Sequence, residues 1–179
     1  MKLIGTSSIF SDVKYYEGKI FNDERGRFQK PFFGDLVEEK FNNYYEVIVS
    51  TSKKNVIRGL HFQNPPNDVD KIVFCLDGVI KDVFVDLRKS SETFGEFDSI
   101  KLDKDNSVSV LIPKGFAHGF SVLSDEATVL YLQSKPFNEE SDSGIHYESL
   151  DIDWESTNPV LSEKDINLPS LIDFNSPWT

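Results

Sequence analysis

The chain has 179 residues and a mass of 20.4 kDa, with 19 Lys and Arg against 30 Asp and Glu, a formal charge of −11. That length suits one domain, and 39 % hydrophobic with 13 % aromatic residues is too rich for a disordered chain. The acidity disfavours a nucleic-acid partner, whose phosphates need a basic face, and no apolar run approaches the roughly 20 residues of a membrane span.

The start, MKLIGTSSIFSD, turns polar too early for a secretory signal. In 33–41 (FGDLVEEKF) the residues Phe33, Leu36, Val37 and Phe41 fall at helical spacing and predict a helix. Short runs rich in Val, Ile and aromatics then follow at 44–51, 71–77, 79–88, 96–103, 107–113, 118–124 and 127–134. Turn residues separate them, notably Asp77-Gly78, Lys104-Asp105-Asn106 and Ser124-Asp125. Many short strands with frequent turns predict an all-β sandwich or closed barrel, not α/β winding. The tail beyond about 150 carries Pro159, Pro169 and Pro177, which favour an ordered wrap over further long strands. The expected organisation is one domain over 1–179, with an N-terminal strand arm to about 30 and a C-terminal extension from about 150. A single cysteine, Cys75, rules out an internal disulfide. Its apolar neighbours suggest an inert buried thiol in a reducing, cytoplasmic setting.

Strand 79–88 sorts Val79, Lys81, Val83, Val85 and Leu87 onto one face and Ile80, Asp82, Phe84, Asp86 and Arg88 onto the other. The mixed face reads either as a solvated surface with an Asp–Arg pair or as the lining of a ligand cavity. Of three histidines, His61 lies in VIRGLHFQNPP and His118 in IPKGFAHGFSVLS, both beside glycines that let backbone approach closely or bulge. A metal site needs about three side-chain ligands, and no ligand cluster stands out in the sequence.

Six segments occur in one order: FNDERGRFQKPF (21–32), STSKKNVIRGLHFQNPP (50–66), DKIVFCLDGVIKDVFVDLRKSSETFGEF (70–97), IPKGFAHGFSVLS (112–124), VLYLQSK (129–135) and LSEKDINLP (161–169). Together they resemble the dTDP-4-dehydrorhamnose 3,5-epimerase family. The resemblance implies a metal-free cupin-type jelly roll needing no cofactor, commonly a homodimer with exchanged N-terminal strands. It implies a dTDP-linked 4-keto-6-deoxy sugar as substrate. In such a sugar the ketone acidifies the protons at C3 and C5. Inversion removes one, holds the enolate and returns a proton to the opposite face, which requires a base, a cation or donor near the ketone oxygen and an acid across the ring.

By this resemblance His61 is the base, since imidazole with a reference pKa of about 6.5 accepts a proton at physiological pH. Asp165 is the carboxylate that orients it, Lys71 the cation at the developing oxyanion, and Tyr131 the proton donor. Read without the family, Asp165 is a surface helix carboxylate and Tyr131 a core tyrosine. Lys71 shares parity with Val73 and Cys75, so it either snorkels outward or points into a cavity. Arg25 and Arg58 match cations for the diphosphate, which the guanidinium fork suits. Gln63 and His118 are expected beside the substrate, and Asp86 is expected to hold a pocket histidine. In a regular strand, however, Arg58 and His61 have opposite parity, so either Gly59 marks a bulge or one of the two serves another surface.

Several positions depart from the family pattern. Glu46 and Ile48 replace a Gln and an Asn, Lys30 replaces a Glu, Val69 a Gln, and Phe137 an aromatic hydroxyl. Lys30 and Glu46 remain expected around the substrate. The proton-transfer set is intact, so the expectation is epimerisation at C3, C5 or both. The alternatives are a sugar-nucleotide 3,4-ketoisomerase and a non-catalytic sugar-binding cupin.

Overall fold

The computed structural model describes residues 1–32 and 46–179. The helix expected at 33–41 lies outside them. In chain order the strands are β1 (Lys2–Thr6), β2 (Lys14–Glu17), β3 (Lys19–Asp23), β4 (Gly26–Lys30), β5 (Glu46–Lys53), β6 (Ile57–Gln63) and β7 (Lys71–Asp77). They continue with β8 (Val79–Asp86), β9 (Phe97–Asp103), β10 (Val108–Ile112), β11 (Phe116–Val122), β12 (Glu126–Gln133) and β13 (Asp142–Gly144), and one short helix, α1 (Glu163–Ile166), follows. No helix among the described residues is long and apolar enough to cross a membrane.

Two antiparallel sheets result, in the orders β1-β2-β10-β7-β12-β5 and β13-β6-β11-β8-β9, while β3 and β4 pair only with each other. The spacing of the apolar runs predicts such an all-β sandwich, and the jelly-roll layout is the one the family resemblance implies. Alternation decides what lies between the sheets. Val73 and Cys75 of β7, Val110 and Ile112 of β10 and Val129 of β12 meet Ile80 and Phe84 of β8 and Phe116, Phe120 and Val122 of β11 in one buried cluster. Each fully buried side chain of this size contributes about 1.5–3 kcal/mol. Cys75 lies in that core, and burial, aided by nearby carboxylates, pushes its thiol up to about 12.

The opposite parity is covered as well. Val83 and Val85 of β8 and Leu87 just after it, with Leu60 and Phe62 of β6, pack under the C-terminal extension through Ile152, Trp154, Leu171, Phe174 and Trp178. Phe62 sits 5.0 Å from Phe174 and 5.3 Å from Trp178, ring centre to ring centre. Strand 79–88 therefore has no solvated face: its mixed face looks into the molecule and its apolar face lies under the tail.

The parity conflict between Arg58 and His61 is resolved by a bulge. His61 pairs with His118 and Arg58 with Phe120, so β6 uses three steps where β11 uses two. Gly59 sits in the bulge at φ +128°, and a Cβ there would lie 2.5 Å from the Cα of Gly119. Only glycine serves at such a contact. Gly59→Ala is expected to cost about 2–4 kcal/mol, from strain and overpacking together. Urea titration would read this as a lower midpoint; an unchanged midpoint would mean that the bulge tolerates a side chain.

Candidate active site

The bulge turns both Arg58 and His61 toward the space between the sheets. There a cavity of about 220 Å³ is lined by Ile48 and Ser50 of β5, Arg58 and His61 of β6, Lys71 of β7, His118 and Phe120 of β11, and Tyr131 and Gln133 of β12. Residues from both sheets thus share one hollow, with His61 on one sheet and Tyr131 on the other.

His61 is fixed from behind by the C-terminal extension. Ser162 caps α1 by accepting from the Asp165 backbone N–H at 3.1 Å, and the Asp165 carboxylate takes the His61 Nε2–H at 2.6 Å. Burial disfavours the charge on Asp165. The hydrogen bond and charge of His61 and the Ser162 contact outweigh that, holding the carboxyl below its usual range. With Nε2 donating, the imidazole keeps an unprotonated Nδ1 able to accept a proton.

Lys71 does not snorkel outward. Burial pulls its ammonium down to about 8, against the opposing attraction of Asp142 and Asp82. It is still mostly cationic at neutral pH, in a place where its charge is weakly screened. Tyr131 shifts the other way. Burial, reinforced by the charge of Asp82, pushes its phenol well above the usual tyrosine value, so it holds its proton at physiological pH. Its ring lies 5.8 Å from His118 and 6.3 Å from Phe120. The Ser50 hydroxyl beside the phenol, and more weakly the charge of Arg58, offset part of that rise.

A second His–Asp pair lies deeper. Asp82, wholly buried, accepts from His118 Nε2 at 2.7 Å. The sequence expectation gave this role to Asp86, and the structure corrects it. Asp86 instead binds the Arg88 backbone and guanidinium and the Thr93 hydroxyl. Phe84 lies opposite His118, so Asp82 and Asp86 are diagonal neighbours on either side; Asp86 is taken by Arg88 and Thr93, and Asp82 is the one that meets the imidazole. Sequence parity put Asp82 and Asp86 on one face but could not say which faced His118.

The remaining expected site residues divide between the cavity and the rest of the fold. Gln63 is committed to the chain itself, donating to the Asn67 carbonyl at 2.7 Å and accepting from the Asn138 N–H at 2.6 Å. Glu46 accepts from the Phe137 N–H at 2.7 Å, so two of the departures from the family pattern are bonded to each other. Ile48 stands directly opposite Tyr131 in the β5–β12 register and contributes an apolar wall. Arg58 is exposed at the cavity with its Nε donating to Ser52 Oγ at 2.8 Å. Arg25 and Lys30 belong to the β3–β4 hairpin and do not line this cavity; Arg25 pairs with Asp23, and the Lys30 ammonium sits 5.8 Å from the Phe28 ring centre. His146 stacks on Tyr147 away from the cavity. Sequence reading passed over Phe120, Gln133 and Asp82, whose only signal was an inward parity shared with core residues.

The assembled groups suit proton abstraction beside a carbonyl: an oriented imidazole, a buried cation and a protonated phenol around one hollow. Comparison with known proteins agrees. The model of the family described as dTDP-4-dehydrorhamnose 3,5-epimerase matches residues 8–173. A protein of that name from Shigella flexneri is 42 % identical over 167 residues, covering 90 % of this chain and 92 % of its own. The crystal structure of dTDP-4-dehydrorhamnose 3,5-epimerase from Elizabethkingia anophelis superposes with a TM-score of 0.86 at 37 % identity, covering 98 % of each chain. That of dTDP-6-deoxy-D-glucose-3,5-epimerase from Legionella pneumophila, in complex with dTDP-4-keto-L-rhamnose, gives 0.88 at 36 %, covering 97 % and 95 %.

Proposed function

Because the chain belongs to the dTDP-4-dehydrorhamnose 3,5-epimerase family, we propose that it is a carbohydrate epimerase that inverts the centres flanking the ketone of a dTDP-linked 4-keto-6-deoxy sugar. The observation that carries this is the single hollow into which opposing sheets bring the His61–Asp165 pair, a buried Lys71 and a phenol that keeps its proton.

In the proposed reaction His61 Nδ1 takes the C3 or C5 proton and the C–H electron pair moves into the C4 carbonyl, giving an enolate. Asp165 holds the imidazole in its proton-accepting tautomer and balances the charge it gains. Lys71 meets the developing oxyanion, where an ammonium in a partly dry site is worth more than in water. Tyr131 gives its proton to the same carbon from the opposite face as the enolate collapses; solvent then returns a proton to the phenolate and takes the one held by the imidazolium. His118, held by Asp82, fixes the inner wall against Tyr131. A hollow of about 220 Å³ suits the sugar ring, which leaves the diphosphate to Arg58 at its edge. No electrons leave the substrate, so no redox partner is needed.

We further infer a homodimer. The β3–β4 hairpin stands outside both sheets with Phe21 and Phe28 exposed, and β5 is an edge strand with Val47 and Val49 exposed. A lone hairpin is marginal in water, and an apolar edge strand invites pairing. A second copy would cover both features, and Arg25 would then serve the neighbour's diphosphate. A nucleotide-sugar substrate and the unpaired Cys75 fit a cytoplasmic setting.

The test is incubation with dTDP-4-keto-6-deoxyglucose in D₂O, read by NMR. Deuterium at C3 and C5 with inversion at both supports the double epimerase. Label at one centre restricts the activity to that centre, and no label rejects this substrate.

A further inference from the structure

The segment that carries Asp165 is fastened by a charge pair outside the proton-transfer set. Asp142 lies on β13, whose register sets Asp142 opposite Gln63 and Gly144 opposite His61. The strand therefore runs directly beside the base. Lys164 precedes Asp165 on α1, and its ammonium donates to the Asp142 carboxylate. A helix of four residues has little stability of its own. The Val56–Val160 bridge, the His61–Asp165 bond, Leu161 in the core beneath the tail and Leu168 against Gly144 also hold this segment, and the clasp adds a charge pair beside Asp165 itself.

The same pair acts on Lys71. Arg58 and His61 of β6, His118 of β11 and Tyr131 of β12 line the same hollow as Lys71, and the charges that act on its ammonium are Asp142 of β13, Asp82 of β8 and Lys164 of α1. Asp142 and Asp82 favour its charged form, and Lys164 opposes it. Lys164 also favours the ionised form of Asp165. Asp82 is already occupied by His118, so the Asp142–Lys164 pair is the adjustable part of this field.

We propose that Asp142 and Lys164 are positioning residues: a clasp that holds α1 so that Asp165 stays on His61, and whose two opposite charges together set the electrostatic balance at Lys71. The inference rests on the assignment of Lys71 to the ketone oxygen.

The experiment is the pH profile of substrate deuteration for four variants of the full chain. Activity needs Lys71 as the cation, so the alkaline limb falls where that proton leaves, at about 8 in the parent. In Asp142→Asn the attraction is gone and Lys164 remains, so the limb moves to lower pH. In Lys164→Gln the carboxylate remains unopposed, so the limb moves to higher pH. Lys164 is half-exposed, and screening limits each shift to about 0.2–0.7 pH unit. Lys164→Arg keeps the charge and returns the limb to its parent position. A merely structural clasp would lower the plateau rate in both variants without separating their limbs. Residual activity of Lys71→Gln supplies the control. If its limb near pH 8 persists, the Lys71 assignment falls and the clasp proposal with it. If that limb vanishes, but the Asp142 and Lys164 variants stay unmoved or move together, the clasp proposal alone is overturned.

Discussion

His61→Ala is expected to lower deuterium incorporation from D₂O by about 10²–10⁴-fold, the range one general base supplies. The expectation follows from the protonation states around the hollow. Tyr131 holds its proton well beyond physiological pH, so it cannot take a carbon proton in place of the imidazole. Lys71 is mostly ammonium below about 8, which makes it a charge partner and a poor base. Asp165 is ionised, but its carboxylate is spent on orienting His61 and is almost fully buried. Removing the imidazole leaves that carboxylate without its donor, so the variant is expected to be somewhat less stable as well. Urea titration separates the two effects, because a folded variant with lost exchange isolates the chemistry. Parent-like exchange in folded His61→Ala would remove the base from this scheme.

How far the sequence reaches is visible in single residues. Alternation along 71–77 and 127–134 already put Lys71 with Val73 and Cys75, and Tyr131 with Val129 and Gln133. The structure keeps both sets facing inward because a buried sheet fixes its register strongly. The tail was legible as a wrap from its prolines, and it does cover the outer face of the sheet containing β8. Three things depended on register between distant strands, which no local pattern encodes. The Gly59 bulge puts Arg58 beside His61 although their spacing opposes it. Phe84 opposite His118 places Asp82 and Asp86 on either side of the imidazole, and the Arg88 and Thr93 contacts of Asp86 leave Asp82 as its partner. The loop after β12 claims Gln63 and Glu46 through backbone N–H groups, and only the folded chain brings that loop to them. The pairing of Asp165 with His61, across 104 residues, was named in advance through resemblance and not through spacing.

Tyr131→Phe is expected to separate labelling from inversion. The substitution removes one hydroxyl and keeps the ring against His118 and Phe120, so the wall of the hollow is retained. His61 and Asp165 are untouched, and the enolate still forms. Its return proton then comes from the imidazolium, on the face it departed from. In D₂O that imidazolium has exchanged with solvent, so deuterium enters the carbon with its configuration kept. Inversion is expected to fall by about 10²–10⁴-fold, as for loss of a general acid. Labelling of recovered substrate should fall far less, and the ratio of label to inverted product measures the partition directly by NMR. The centre at which the ratio rises identifies where the phenol acts. If C3 and C5 behave alike, one acid serves both inversions; if only one responds, a solvent-borne proton completes the other. Label and inversion falling in equal proportion would place the phenol before the enolate, as a group that helps form it, and would leave the opposite face without its acid.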